Sequence, residues 1–454
     1  MAKDLGNENL SSLILKLSVT AIFSMVAAAV YNVADRIFVG KVNSLGLTAV
    51  GITMPLQIVQ MIFVMVIGSG SATLISIHMG REEEEKAGKI LLSATIYIIV
   101  SLLILTLLSL HFLDDIFAVL KVSKEVCPMA KDYIAIILLG GVPGLTGYCL
   151  NSCVRALGYA KEAMFYVMIS SVLNIVLDYF FILVWNYGVK GAAVATVISQ
   201  TLVTVFIIFF FRRNPLGKQG IADLKRGEFL NCMGEITWNG MPTLYMQVFG
   251  TVVAIILNRY IIAYGGDYHM ASITLITSVS HFFMMVVYGV GQGTQAIFGY
   301  NYGARKAERT NAALKLSLGF VILFMSGVLF SVQLVPEFFI SFFTNERSLI
   351  EISVHNIRIY LSMLPMVAVH SIVTTYLQSI KRPKVSTFLY ILRYGAILIP
   401  ALYVLPERMG TDGVYLAYAL SEGSSGLIAL FFAFYFLRLS PEKLYLGEKK
   451  GKKA

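Results

Sequence analysis

The 454-residue chain is 57% hydrophobic and only 14% charged, with a net charge of +10 and a mean hydropathy of +0.75. It is too apolar for a soluble enzyme of ordinary composition and reads as an all-α polytopic membrane protein. The basic excess is then a topology signal with some attraction to anionic lipid, and it requires no nucleic-acid partner.

Polar clusters divide the sequence into twelve apolar segments of the ~20 residues that a ~30 Å hydrocarbon layer demands. In chain order they lie near 13–36, 48–77, 90–112, 130–154, 162–184, 190–211, 236–262, 271–300, 312–332, 352–379, 386–404 and 414–437. The apolar run after Lys16 continues into a full span, so it reads as a retained helix and not as a cleaved leader. Cys127, Cys149, Cys153 and Cys232 show no metal-binding spacing and read as packing residues.

Most of the 36 basic residues fall in the amino tail, the even-numbered connections and the carboxyl tail, among them Arg81, Lys86, Arg212, Arg213, Arg305, Arg309, Lys381 and Lys449, Lys450, Lys452 and Lys453. Basic residues accumulate on the cytoplasmic side, so both termini are expected there.

The sequence also repeats itself. A shift of about 223 residues aligns Arg36 with Arg259, Gly68 with Gly291, Gly70 with Gly293 and Gly80 with Gly303, and the GVKG of Gly188 with the GTDG of Gly410. Six spans are duplicated, and because six is even the two copies are parallel. The division is an amino-terminal lobe over 1–211, a basic cytoplasmic linker over 212–235, a carboxy-terminal lobe over 236–437 and a basic tail over 438–454. Parallel six-helix halves facing a cleft are a transporter architecture. The six histidines are scattered, and no HExxH, CxxC or GxxxxGK[ST] pattern occurs, so neither enzymatic chemistry nor a nucleotide motor is indicated and no cofactor is implied.

Two acids stand out against this background. Asp35 and Asp178 lie in apolar segments where a carboxylate costs roughly 2.5–3.5 kcal/mol even on the milder insertion scales. Asn174 shares a helix face with Asp178, four residues away. At ~1.5 Å per residue, Asp178 lies about 24 Å and Asp35 about 33 Å from the inner ends of their helices, both in the outer leaflet. Two neighbouring carboxylates out of water cannot both ionise cheaply, so the pair should take up a proton or a cation. At the repeat-equivalent positions stand Asn258, Pro400 or Ala401, and Tyr418, so the acids are not part of the scaffold. The plainer readings are an interfacial Asp35 beside Arg36 and an Asn174 that acts as packing glue.

Over nearly its whole length the chain resembles the multidrug and toxic compound extrusion (MATE) family, within it the MepA-like and DinF-like branches. The resemblance rests on YNVADRIFVGKVNSLGLTAVG, GSGSATLISIHMGR, VRALGYAKEAM, NIVLD and KGAAVATVISQ together. It implies a V-shaped MATE-type fold and a monomeric antiporter, multi-pass in the cell (inner) membrane. Such an antiporter exchanges H⁺ or Na⁺ for small, amphipathic, often cationic organic compounds by alternating access. The family's amino-lobe cation site maps onto Asp35, Asn174, Asp178 and Thr196, and Na⁺ or H⁺ would act there. Thr196, about 9 Å below the outer end of its span, matches Asp178 in depth.

Two departures from the family pattern are visible: Thr20 replaces a first-span proline that the repeat-related segment keeps as Pro242, and Gly250 stands where a carboxy-lobe acid would be. Met54, Gln57, Tyr133, Gln247, His281, Tyr288 and His370 are the residues selected for an adaptable substrate cleft. Glu422, in the last span, has no role in this reading. A flippase for a lipid-linked precursor is the alternative, weakened by acids where phosphate would need cations. A non-transporting receptor is a third reading, and it lacks a sizeable sensing domain.

Overall fold

The computed structural model describes residues 5–42, 44–220 and 224–445. The terminal lysines used for orientation, Lys449, Lys450, Lys452 and Lys453, lie outside them. Among the described residues all regular structure is helical. In the first half it comprises α1 (Leu10–Val42), α2 (Ser44–Gly80), α3 (Glu84–His111), the short α4 (Leu113–Val119), α5 (Cys127–Ala156), α6 (Ala160–Asp178) and α7 (Gly188–Arg213). The second half holds α8 (Arg226–Gly303), α9 (Ala307–Leu334), α10 (Pro336–Ser341), α11 (Arg347–Tyr360), α12 (Leu364–Ser379), α13 (Pro383–Tyr390), α14 (Ile399–Leu437) and α15 (Pro441–Tyr445). Two π-helical segments interrupt them: Tyr179–Val184 after α6, and Ile391–Leu398 between α13 and α14.

These elements make twelve crossings. Among the described residues nine stretches are long and apolar enough to span alone, and α11 with α12 makes a tenth, bent by 48°. Two of the nine are double, each holding two helices joined across a kink, at Gly266 (φ 66°) in α8 and at Gly410 (φ 60°) in α14. Glycine tolerates that left-handed backbone without a Cβ clash. The tenth span, expected as one run over 352–379, is broken because Pro365 sits in the first turn of α12 and cannot continue a helix from the preceding residues. The first span runs six residues past its expected end at 36, to Val42, which puts Asp35 well inside a helix.

The duplication is visible in the backbone. Positive φ recurs at Glu82 and Arg305, and again at Gly158 and Lys381, each pair 223 residues apart. It recurs also at the aligned Gly188 and Gly410.

The chain forms two compact units, Phe23–Gly240 and Gly6–Ile22 with Met241–Ala454. They do not follow the 1–211 and 236–437 division residue for residue. The opening of α1 packs in the carboxy unit, and the linker with the opening of α8 packs in the amino unit. Glycine makes both placements feasible: a Cβ on Gly70 would lie 2.1 Å from the Ile236 carbonyl oxygen, and one on its repeat partner Gly293 would lie 2.7 Å from the Ser18 nitrogen. Larger side chains would hold these helices apart.

In the amino unit the core is a small-residue seam between α5 and α7. Gly140, Gly144 and Gly147 face Val197, Gln200 and Thr204, with any added Cβ at 2.2, 2.9 and 2.4 Å from them. The Thr204 hydroxyl donates to the carbonyl of Pro143, inside α5, and the Ser170 hydroxyl of α6 donates to the Ser199 carbonyl of α7 at 2.6 Å. In hydrocarbon such groups must find partners within the protein. Together these contacts fix α5 and α6 against α7.

Candidate coupling site and its relatives

Asp178 closes α6, just before the π-helical Tyr179–Val184. Its side chain is fully buried, and neither carboxylate oxygen has a hydrogen-bond partner. Asn174, one turn earlier and 2% exposed, donates from Nδ2 to Thr196 Oγ1 at 3.4 Å, across to α7, while its Oδ1 stays unpartnered. Asp35, on α1, lies within direct Coulomb range of Asp178, and its Oδ1 is buried without a partner. Arg36, beside it in sequence, is exposed.

The structure therefore brings Asn174 to Thr196, and Asp35 to Asp178, inside one unit. Four buried oxygens of this group, Asp35 Oδ1, Asn174 Oδ1 and both of Asp178, are acceptors with no donor. Buried polar atoms are rarely left this way, and a buried charge without a partner is more expensive still. A proton would turn one carboxylate into a donor, and a hard cation such as Na⁺ would be held by several such oxygens at once. The described residues contain no group of three or more His, Cys, Asp or Glu arranged to hold a metal, so any ion here would depend on the mixed carboxylate, amide and hydroxyl set.

The residues selected for a cleft separate into two groups. Tyr133, 4% exposed on α5, interacts electrostatically with both acids and with Gln57. Gln57 also donates to Thr53 Oγ1 at 3.2 Å, and Met54 is exposed on α2. Gln247, His281 and Tyr288 line a cavity of about 490 Å³ within the carboxy unit. His281 Nδ1 is 2.7 Å from the Thr277 carbonyl oxygen. His370 is fully buried and does not line that cavity, with Nε2 3.4 Å from the Leu389 carbonyl oxygen and its ring edge-on to Tyr390.

Sequence reasoning missed a buried ion pair. Arg393 Nη2 donates to Glu422 Oε1, with the two side chains 8% and 2% exposed. The signal was available as two isolated opposite charges in the last two spans, since ionisable residues within spans tend to pair. It also gives Glu422 its place.

Two units of six crossings, one of them carrying donorless acids at its core, define a polytopic transporter. The MatE family model matches residues 20–180 and 242–404, one stretch in each half, and the chain belongs to this multidrug and toxic compound extrusion family. It is 25% identical to the multidrug export protein MepA of Staphylococcus aureus (strain NCTC 8325 / PS 47), over 93% of this chain and 92% of the relative. It is equally 25% identical to MepA of Staphylococcus haemolyticus (strain JCSC1435), over 95% of each.

Among solved structures, the outward-facing conformation of a multidrug resistance MATE family transporter of the MOP superfamily superposes with a TM-score of 0.89 at 21% identity, covering 96% of this chain and 98% of that one. A MOP superfamily transporter from Pyrococcus furiosus Vc1, described as having a binding pocket of reverse polarity that suggests a different function, superposes with a TM-score of 0.88 at 22% identity and the same coverage. Both share the fold.

Proposed function

We propose that this protein is a cation-coupled antiporter that exports amphipathic, often cationic organic compounds by alternating access, driven by H⁺ or Na⁺ through Asp178 and Asp35. The observation that carries this reading is the donorless state of Asp178, whose two buried carboxylate oxygens are both left unsatisfied. Such a group is stable only when loaded with a proton or cation, and loading and release make it responsive to an ion gradient. Asp35 raises the cost of a second negative charge, and Asn174 with Thr196 supplies neutral oxygens beside the acids. Export of varied organic compounds rests on the name of the MepA relatives. The basic clusters support an orientation with both termini in the cytoplasm of a cell-membrane protein.

The test is exchange of a cationic dye in proteoliposomes, driven separately by a pH or a sodium gradient. Asp178→Asn should abolish exchange with whichever gradient drives the native protein. Unchanged exchange by that variant would remove the coupling site from this reading.

A further inference from the structure

The carboxy-unit cavity has the opposite polarity. Among its lining residues there is no Asp or Glu, and the one fixed charge is Arg393, in the π-helical Ile391–Leu398. Hydroxyl and amide groups of Tyr288, Tyr394, Tyr418, Gln247 and Asn258 surround it. By the repeat, Asn258, Ser280 and Tyr418 stand where the amino unit has Asp35, Gln57 and Thr196, so this is the corresponding place in the fold with its acids removed.

Arg393 is 7% exposed and is only partly committed. Nη2 serves Glu422, Nη1 lies 3.5 Å from His370 Nδ1, the guanidinium sits 4.7 Å over the Tyr394 ring, and Nε has no partner. Glu422, 1% exposed, lies outside the cavity lining. From the cavity, the pair therefore presents its cationic member.

We propose that this cavity binds the anionic group of an amphipathic aromatic compound, with a carboxylate on Arg393 and the ring system among the tyrosines. Guanidinium and carboxylate match as charge-assisted donor and acceptor, and aromatic faces accept a flat apolar body. The proposal does not rest on the coupling role of Asp178.

Charge balance adds a second consequence. Glu422 already neutralises Arg393, so a ligand carboxylate would leave one surplus negative charge in a buried site. One proton must enter with each anion. The groups facing the pair are His370 from α12, Tyr390 from α13, Tyr394 beside Arg393, Tyr418 from α14, Tyr360 from α11 and Tyr288 from α8.

The test uses the full chain in lipid nanodiscs and calorimetry with two matched probes, 2-naphthylacetate and (2-naphthylmethyl)trimethylammonium. The native protein should bind the carboxylate at least tenfold more tightly than the ammonium, taking up about one proton per anion as read from enthalpies in buffers of different ionisation heat. The double variant Arg393→Gln/Glu422→Gln, which leaves neither charge unpaired, should lose at least tenfold for the carboxylate and nothing for the ammonium. Lys190→Gln removes a cation from an ion pair with Asp132 in the amino unit and should leave carboxylate binding unchanged. Equal affinity of the native protein for the two probes, carboxylate binding retained by the double variant, or binding without proton uptake each overturns the proposal.

Discussion

The amino unit gathers buried acceptors with no donor, whereas the carboxy unit, at the matching place, holds an arginine matched by a glutamate, with Nε of the one and Oε2 of the other to spare. Both charges adjoin π-helix, Asp178 at the edge of Tyr179–Val184 and Arg393 inside Ile391–Leu398. A π turn widens the helix and is frequent at functional sites. The scaffold was duplicated while its polarity was not, so polarity here is set by a few side chains and not by topology. An unmatched charge is costly and therefore responsive to ions. A matched pair is costly only when one member is removed.

That contrast predicts opposite stability effects. Asp178→Asn should cut exchange at least a hundredfold while the thermal midpoint of the purified protein holds or rises, because the variant deletes a buried charge that has no partner. Arg393→Leu should destabilise by about 3–5 kcal/mol, since it strands Glu422 in a buried site. Removing both, Arg393→Leu/Glu422→Leu, should recover most of that loss. A fall in midpoint for Asp178→Asn as large as that for Arg393→Leu would mean that the two sites do not differ in charge matching.

The fold was largely legible because hydropathy reports lipid exposure directly, and the 223-residue shift exposes the duplication. What was not legible depended on packing. The exchange of Gly6–Ile22 into the carboxy unit is set by contacts such as Gly293 against Ser18, which no periodicity encodes. The short helices α4 and α10, too short to cross, fell between spans. Asp178 could be read because VLNIVLDYFFILVW surrounds one acid with apolar residues. Arg393 and Glu422 escaped because each alone can be read as a stray charge, and only folding puts residues 29 apart on adjacent crossings into contact.

A smaller effect tests whether the exchanged helix openings are equivalent. Gly70→Ala places a Cβ against the backbone carbonyl of Ile236 and should cost about 1–3 kcal/mol. Gly293→Ala, which meets the Ser18 nitrogen at a longer distance, should cost less. Gly319→Ala in α9 has open space around its Cβ and should be neutral or stabilising by up to about 1 kcal/mol. Equal losses for all three in thermal unfolding would show that glycine contributes through chain flexibility and not through close approach.

The smallest expected effect carries the polarity comparison out of the membrane. Glu83 and Lys306 occupy the same place before α3 and α9, again with opposite sign. Glu83 lies 2.6 Å from His78 Nδ1 and accepts from Lys86 Nζ at 2.7 Å, whereas Lys306 donates to the Gly6 carbonyl at 3.0 Å and Asn7 Oδ1 at 2.9 Å. Partial burial would raise the Glu83 carboxyl, but Lys86 and His78 outweigh it and hold it at about 2 against an ordinary 4.5. A depressed carboxylate stabilises fully above its unfolded value and loses that contribution as pH falls toward its folded one. Glu83→Gln should therefore cost about 0.5–1 kcal/mol at pH 7, in keeping with a partly solvated ion pair, and its gap from the native protein should narrow between pH 4.5 and pH 3. Lys306 is held by a backbone carbonyl and an amide oxygen, so the gap for Lys306→Gln should stay constant over the same range. If both gaps narrow together, the acid sensitivity lies elsewhere in the chain, and the charge reversal between the two turns has no bearing on it.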